Sequence, residues 1–154
     1  GLAEPDCVVD PLQDLLEYLR RDILNLAMGN TDNHGRNTAV LKMPDGASAL
    51  SPIFDFAPMF LDPEGIPRSS RWEQEQVTGT PEWGLIAEAL NVPGLSNLEF
   101  RSWFAAQAKK VEGLPDLMES CGVEPDITEK LHRRINNLAR TLREAESKIY
   151  SAPR

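Results

Sequence analysis

The chain has 154 residues, of which 41% are hydrophobic and 26% are charged, a balance typical of a globular protein long enough to bury a core. A net charge of −8 argues against direct binding of a polyanion such as DNA by this chain. No run approaches the ~18 apolar residues of a membrane span, and the N-terminus lacks the basic and apolar regions of a signal peptide. We therefore expect a cytoplasmic protein without membrane association, whose first residues resemble the cut end of a longer one.

The cysteine content favours a reducing compartment. Cys7 and Cys121 are the two cysteines, which are too few for a disulfide framework. A single long-range disulfide between them is possible, but reduced thiols are the simpler interpretation for a cytosolic protein.

The first predicted element is a long helix that follows an irregular lead over residues 1–9. Asp10 and Pro11 supply an N-cap and a proline for the first helical position. Apolar residues then recur at spacings of three and four up to Met28. Gly29 and Asn30 tolerate left-handed backbone angles and are expected to end the helix.

A β-hairpin is predicted next. Residues 38–42 have strand character, residues 43–46 (MPDG) are a strong turn signal, and residues 47–50 return as a second short strand. Residues 51–80 are poorly periodic and rich in proline, glycine, serine and charge. We interpret them as a functional loop region with a short helical turn.

The rest of the chain is predicted to be helical. Four segments carry helix signals: one from Pro81 to Leu90, one after a capping box at residues 96–99, one from Leu114 to Ser120, and one that opens at Asp126. The last segment keeps its apolar residues on one face and its charged residues on the other. The predicted fold class is therefore mainly α, with one small hairpin after the loop at residues 30–37.

That loop contains the pattern most informative about function. Asp32 and Asn37 are separated by five positions, which is the catalytic-loop spacing of kinase-type phosphoryl-transfer enzymes. Phosphoryl transfer needs a carboxylate beside the incoming hydroxyl, for which Asp32 is the candidate. It also needs oxygen ligands for Mg²⁺, and the amide oxygen of Asn37 suits a hard cation.

A second carboxylate follows the hairpin. Asp55 lies eighteen positions after Asn37, where the returning chain can present it to the same metal ion. Its neighbours, Phe54 and Phe56, are expected to be buried, and a carboxylate between them is costly unless it is paired or metal-bound. The sequence therefore predicts Asn37 and Asp55 as metal ligands.

Two further loop residues are candidates for the site. His34, like Asp32, is a candidate catalytic residue. The role that we favour for it is to stabilise the conformation of the loop. A histidine-rich metal centre is disfavoured because His132, on the last predicted helix, is the one other histidine. Arg36 is a candidate for contacting nucleotide phosphate, although arginines in polar loops are commonly solvated.

Each of these residues also has a purely structural interpretation. Asp32 follows two turn-forming residues and is suited to capping a turn, and Asn37 is suited to satisfying backbone groups there. The five-residue spacing alone is weak, because random chains supply it often. Its combination with a preceding helix, a hairpin and a later aspartate between aromatic residues is considerably more specific.

Residues 29–37 (GNTDNHGRN) and 51–55 (SPIFD) resemble the C-terminal part of the HipA-like serine/threonine kinases, the toxins of bacterial toxin–antitoxin modules. The likeness is specific across about residues 15–60 and weaker beyond them. It implies that residues 1–154 are the helical C-terminal lobe of a kinase-like fold. The cofactors would be ATP and Mg²⁺, with Asp32 as catalytic base and with Asn37 and Asp55 as metal ligands.

The resemblance also implies partners. HipA-like kinases phosphorylate a protein of the translation machinery and pair with a helix-turn-helix antitoxin, so DNA contact would be indirect. This chain has no glycine-rich phosphate loop and no lysine-bearing strand before Asp32. The N-terminal lobe would then lie upstream of Gly1, and the 154-residue chain alone is expected to be inactive.

Two alternatives stay open. Small-molecule kinases of the aminoglycoside phosphotransferase type share the spacing of Asp32, Asn37 and a later aspartate, but their loop is usually preceded by His-Gly-Asp, which is absent here. The other alternative is a non-catalytic helical module whose acidic surface binds a partner protein.

Overall fold

The computed structural model describes residues 10–75, 80–90 and 94–147. The chain forms two compact units, Gly1–Ser70 and Arg71–Arg154. In the described residues, the first unit contains a long helix and a two-stranded hairpin, whereas every regular element of the second is helical. The prediction of a mainly helical chain with one small hairpin is confirmed. The predicted irregular lead and Cys7 lie outside the described residues, and Cys121 is exposed as a free thiol.

Helix α1 spans Pro11–Met28, as its sequence signals predict. The Asp10 side chain accepts a hydrogen bond from the Gln13 backbone N–H at 3.0 Å, which satisfies a donor that the first helical turn leaves open. Gly29 ends the helix with φ of 66°, a left-handed conformation that glycine adopts without the cost a Cβ would add. The residue after Gly29 therefore leaves the helix at a fixed angle.

The hairpin consists of β1, Val40–Lys42, and β2, Ser48–Leu50, which pair antiparallel with Leu41 opposite Ala49. Its turn is closed by a hydrogen bond from the Met43 N–H to the Ala47 carbonyl at 2.7 Å. The hairpin is attached to α1, because the Leu50 N–H donates to the Asp14 carboxylate at 3.2 Å. The loop between α1 and β1 is thus anchored at both ends to the same helix.

The segment after the hairpin is irregular apart from a 3₁₀ turn at Met59–Leu61. This turn packs against the end of α1, where the Phe60 N–H donates to the Gly29 carbonyl at 3.0 Å. A Cβ on Gly29 would lie 2.9 Å from the Cβ of Phe60, so this contact requires a residue without a side chain. Gly29 is therefore fixed by both its backbone angle and its neighbour.

The second unit contains four helices: α2, Trp83–Ala89; α3, Asn97–Glu112; α4, Leu114–Ser120; and α5, Pro125–Ser147. The capping box predicted at the start of α3 is present, with reciprocal hydrogen bonds between Ser96 and Glu99. The sequence predicts that α2 begins at Pro81, but the helix begins two residues later, at Trp83. Glu82, at the N-cap of α2, makes no capping hydrogen bond with its side chain.

Aromatic packing holds the second unit together. Phe104 is fully buried, and its ring lies 5.0 Å from that of Trp83 and 5.1 Å from that of Phe100. The indole N–H of Trp83 donates to the Thr141 hydroxyl at 3.3 Å, so burial leaves this polar group satisfied. The apolar face of α5 completes this core with Leu131, Ile135, Leu138, Ala139, Leu142 and Ala145, all buried.

Across the described ranges, no helix combines the length and hydropathy needed to cross a bilayer.

Candidate active site

A small cavity, open to solvent, lies in the first unit. Its lining comes from one face of α1, from the loop at residues 30–38, and from residues 53–56 after the hairpin. The lining residues are Tyr18, Arg21, Asp22, Asn25, Asn30, Asn33, Asn37, Thr38, Ile53, Phe54, Asp55 and Phe56. Four asparagines and two aspartates in this set make the cavity rich in oxygen ligands and hydrogen-bonding groups.

The loop at residues 30–37 begins with a buried pair of asparagines. The Asn30 side chain donates to Asn25 Oδ1 at 2.9 Å, and the Asn30 backbone N–H donates to the Asn25 carbonyl at 2.9 Å. Both residues are 5% exposed or less, so these bonds are shielded from water and hold the start of the loop on α1. The Asn30 Oδ1 atom is buried without a hydrogen-bond partner among the described residues.

The middle of the loop is stabilised by its own backbone. The His34 N–H donates to the Asp32 carbonyl at 3.0 Å, and the Asn37 N–H donates to the His34 carbonyl at 2.9 Å. The second bond closes a 3₁₀ turn at Gly35–Asn37. These local bonds bring Asn37 back beside Asp32, although five positions separate them in sequence.

Asn37 is held with its amide oxygen as the available ligand atom. Its Nδ2 donates to the Asp32 carbonyl at 3.0 Å, and a carbonyl can only accept, so this bond fixes which amide atom is nitrogen. The remaining atom, Oδ1, is the one that a hard cation prefers. Asn37, which the sequence predicts as a metal ligand, lines the cavity.

Asp55 lines the same cavity as Asn37 and has an unusual backbone. Among the described residues it is the one non-glycine with a positive φ, at 53°. Few residues with a Cβ adopt this conformation, although aspartate does so more readily than most, and such backbone outliers are concentrated at functional sites. The structure therefore brings together two of the three residues predicted to handle phosphate and metal.

The expected burial around Asp55 is wrong. Phe54 is 43% exposed and Phe56 is 36% exposed, and Asp55 itself is exposed. Residues 53–56 form no helix or strand, so the aromatic rings lie at the rim of an open cavity rather than in a core. Burial consequently supplies no argument that the Asp55 carboxylate must be paired, and its candidacy rests on the shared cavity and its backbone.

Asp32 and His34 form a half-exposed pair beside the cavity. His34 Nε2 lies 3.7 Å from Asp32 Oδ1, and their side chains are 38% and 39% exposed. Asp32 is outside the set of lining residues, although its carbonyl is bonded to Asn37. Arg36 is exposed and also does not line the cavity. Its predicted contact with phosphate stays a prediction.

A buried charge network lies on the α1 side of the cavity. Asp22 Oδ1 accepts hydrogen bonds from the Arg68 guanidinium at 2.7 Å and from Asn33 Nδ2 at 3.2 Å. Asp22 is 4% exposed and the Arg68 side chain 9%, so the ion pair is shielded from solvent. Burial raises the pKa of the neighbouring Tyr18, the Asp22 charge raises it further, and Arg68 opposes both.

Neither Asp22 nor Arg68 was predicted from the sequence, although the position of Asp22 on α1 was informative. Asp22 lies three residues after Leu19 and next to Ile23, on the apolar face of α1. A carboxylate on such a face needs a partner, and the pattern alone was enough to single it out. No comparable signal marks Arg68, because it lies in an irregular segment with no periodicity.

The cavity lining contains hard oxygen donors of the kind that Mg²⁺ prefers. The described residues hold no cluster of three or more histidine, cysteine, aspartate or glutamate side chains suited to a metal. Mg²⁺ is instead commonly bound through one or two protein oxygens together with water and substrate phosphates. One amide oxygen and one carboxylate, from Asn37 and Asp55, meet that requirement.

Comparison with known proteins gives one match. The family model described as "HipA-like C-terminal domain" matches residues 6–145, which is most of the chain. No curated protein and no solved structure matches the chain.

Proposed function

The chain belongs to the HipA-like C-terminal domain family, and we propose that it is the catalytic C-terminal lobe of an ATP- and Mg²⁺-dependent serine/threonine kinase. The observation that carries this proposal is the shared cavity of Asn37 and Asp55. These residues are eighteen positions apart and come from opposite sides of the hairpin. Their position in one cavity, with Asp32 on the same loop as Asn37, supports the assignment of two metal ligands and a base.

In this proposal Asn37 and Asp55 hold the metal. The Asn37 Oδ1 atom and the Asp55 carboxylate are hard oxygen ligands, while the amide nitrogen of Asn37 stays bonded to the Asp32 carbonyl. When bound, Mg²⁺ would neutralise charge on the nucleotide phosphates. The bond between Asn37 and the Asp32 carbonyl keeps the metal-binding side chain and the base in a fixed relation.

Asp32 acts as the general base. The hydroxyl oxygen of an acceptor serine or threonine attacks the γ-phosphorus of ATP, and the Asp32 carboxylate takes the hydroxyl proton. The bond from the γ-phosphorus to the bridging oxygen breaks, and ADP leaves with that oxygen. The half-exposed position of Asp32 suits this role because a protein substrate must reach it from solvent.

The nucleotide-binding half of the site would come from an N-terminal lobe. The described residues supply candidate metal ligands and a base, but no glycine-rich phosphate loop precedes Asp32 in the sequence. We therefore propose that the 154-residue chain has little or no phosphoryl-transfer activity by itself. Activity would require the full-length protein with its N-terminal lobe.

The cellular role that we propose is that of a growth-inhibiting toxin, with a protein of the translation machinery as substrate. A helix-turn-helix antitoxin would be the partner. A net charge of −8 supports indirect DNA contact, because phosphate contacts in protein–DNA complexes come largely from lysine and arginine.

The test is an Asp32→Asn variant of the full-length protein, assayed for ATP-dependent phosphorylation of serine or threonine. We expect kcat to fall by about 10²- to 10⁴-fold, the range that a positioned general base contributes, while the fold is retained. Asp45→Asn is the matched control, because Asp45 is an exposed aspartate in the turn of the hairpin that follows the Asp32 loop. Unchanged phosphorylation by the Asp32→Asn variant would remove Asp32 from its role and with it the proposed mechanism.

A further inference from the structure

We propose that Asp22 and Arg68 position the loop that carries Asp32 and Asn37, with Asn33 as the side chain that connects them. This inference rests on the proposed function for its catalytic consequence. None of these three residues is assigned a direct role in the chemistry. Each acts through the loop, so they are positioning residues.

Asp22 contacts both Asn33 and Arg68 through the same atom. One carboxylate oxygen, Oδ1, accepts from both Asn33 Nδ2 at 3.2 Å and the Arg68 guanidinium at 2.7 Å. Asn33 lies eleven residues from Asp22 and Arg68 forty-six. A single buried oxygen therefore joins α1, the predicted catalytic loop and the chain that follows Asp55.

Other hydrogen bonds also hold the loop. Its start is fixed by the buried bonds between Asn25 and Asn30, whereas the partly exposed stretch from Asp32 to Asn37 is closed by bonds within the loop. Such local turns open easily because water can replace their hydrogen bonds. The bond from Asn33 reaches a buried carboxylate, so it ties the residue next to the proposed base to the interior of the unit.

The charge of Asp22 also bears on the metal site. Asp22 lines the cavity together with Asn37 and Asp55, and an unpaired carboxylate there would compete for a cation. Arg68 neutralises Asp22 at 2.7 Å, which leaves Asp55 as the carboxylate suited to metal. Arg68 thus keeps Asp22 as an anchor for Asn33 instead of a third ligand.

Asn33→Ala is the sharpest variant, because it removes the connection while leaving the buried pair of Asp22 and Arg68 intact. In the full-length protein we expect kcat, measured per folded molecule, to fall by about 10²-fold, the scale that a small misplacement of a catalytic group can cost. KM for ATP should change less than kcat, because most nucleotide contacts are proposed to come from the N-terminal lobe. A merely structural role would lower the thermal midpoint without changing kcat per folded molecule.

Asp22→Ala, which removes the acceptor oxygen, should give the same separation of kcat from KM. The Asp22→Ala/Asn33→Ala double variant should be no worse than Asp22→Ala alone, since both changes remove the same hydrogen bond. Arg68→Lys, which keeps the charge but loses the planar fork, should retain more activity than Arg68→Met. Glu17→Gln is the matched control, because it removes a carboxylate from the same helix at a side chain that is 41% exposed.

A structural arm uses NMR of the 154-residue chain and needs no phosphoryl transfer. Asp22→Ala should shift the backbone resonances of residues 32–37, and Glu17→Gln should leave them in place. Loop resonances that stay unshifted in Asp22→Ala, or an unchanged kcat per folded molecule in Asn33→Ala, would overturn the proposal. A fully active Asp32→Asn variant would contradict the proposed function. The NMR experiment would still test whether Asp22 positions the loop.

Discussion

At Gly29 two independent constraints act on one residue. Its φ of 66° lies in the left-handed region, and an added Cβ would come within 2.9 Å of Phe60. Gly65 has nearly the same φ, 65°, but nothing lies within 4 Å of an added Cβ. The pair of glycines therefore separates the cost of backbone conformation from the cost of the contact.

We predict that both Gly→Ala variants lose stability, Gly29→Ala by more. Each should lose roughly 1–2 kcal/mol for the left-handed backbone, and Gly29→Ala should lose about 1–3 kcal/mol more because of overpacking against Phe60. Denaturant unfolding of the two variants measures the difference. Equal losses would show that the contact between Gly29 and Phe60 carries no cost.

Tyr18 reports on the charge network beside the cavity. Burial and the Asp22 charge raise its pKa above the ordinary value of 10.0, and Arg68 acts in the opposite direction. We predict that Asp22→Asn lowers the Tyr18 pKa and that Arg68→Met raises it further, as followed by NMR of the Tyr18 ring. A Tyr18 pKa that rises in Asp22→Asn would contradict the charge arrangement.

The raised pKa of Tyr18 also has a consequence for stability. Its stabilising contribution is present below pH 10.0 and is lost as the pH rises through the higher pKa of the folded state, because the unfolded chain loses the phenol proton first. Asp22→Asn should therefore lose less stability than the wild type over that alkaline range.

The site residues differ in how far the sequence could predict them. Spacing was enough to predict that Asn37 and Asp55 lie in one cavity, because the chemistry of phosphoryl transfer constrains both residue type and order. The burial of Phe54 and Phe56 was predicted wrongly, since hydrophobicity states a preference for burial but names no partner. Arg68 could not be found at all, because its bond to Asp22 spans forty-six residues through an irregular chain.

Among the elements, α3 shows how a short pattern fixes a helix start. The Ser96 hydroxyl and the Ser96 backbone N–H both donate to Glu99, and these bonds lower the pKa of that carboxyl. The Glu99 N–H in turn donates to the Ser96 hydroxyl at 3.3 Å. Both partners lie within one helical turn, so this feature is predictable from sequence without any knowledge of tertiary structure.

The lowered pKa of Glu99 predicts a pH dependence. The stabilising contribution of the charged carboxylate is present above the unfolded pKa near 4.5 and is lost as the pH falls through the lower folded pKa. Glu99→Gln should therefore lower the thermal midpoint at neutral pH, and the difference from wild type should shrink below pH 4.5. Glu119→Gln, at an exposed position on α4, is the control, and a difference that grows on acidification would contradict the prediction.

Helix ends without such pairs were predicted less well. The start of α2 was assigned to Pro81, whereas the helix begins at Trp83 after an N-cap residue that makes no capping bond. The start of α5 is at Pro125, one residue before the predicted Asp126. Helix existence followed from apolar periodicity, while these boundaries depended on local backbone geometry that periodicity does not encode.

At the scale of the whole molecule, the helical class and the single hairpin were predictable, because periodicity and turn chemistry both act locally. The division into Gly1–Ser70 and Arg71–Arg154 was not, since it depends on which elements pack together. The candidate site lies entirely in the first unit. The second unit has the larger apolar core, with an aromatic cluster around Phe104.

The central claim, that Asn37 and Asp55 hold a divalent cation, is tested most directly by titrating the 154-residue chain with Mn²⁺, which shares the oxygen ligands of Mg²⁺. Paramagnetic broadening should first affect the side-chain amide of Asn37 and the backbone amide of Asp55. The exposed acidic residues Asp116 and Glu119 on α4 should broaden only at higher Mn²⁺ concentration. Broadening that reaches these surface carboxylates first, or all acidic residues equally, would contradict a metal site in the cavity.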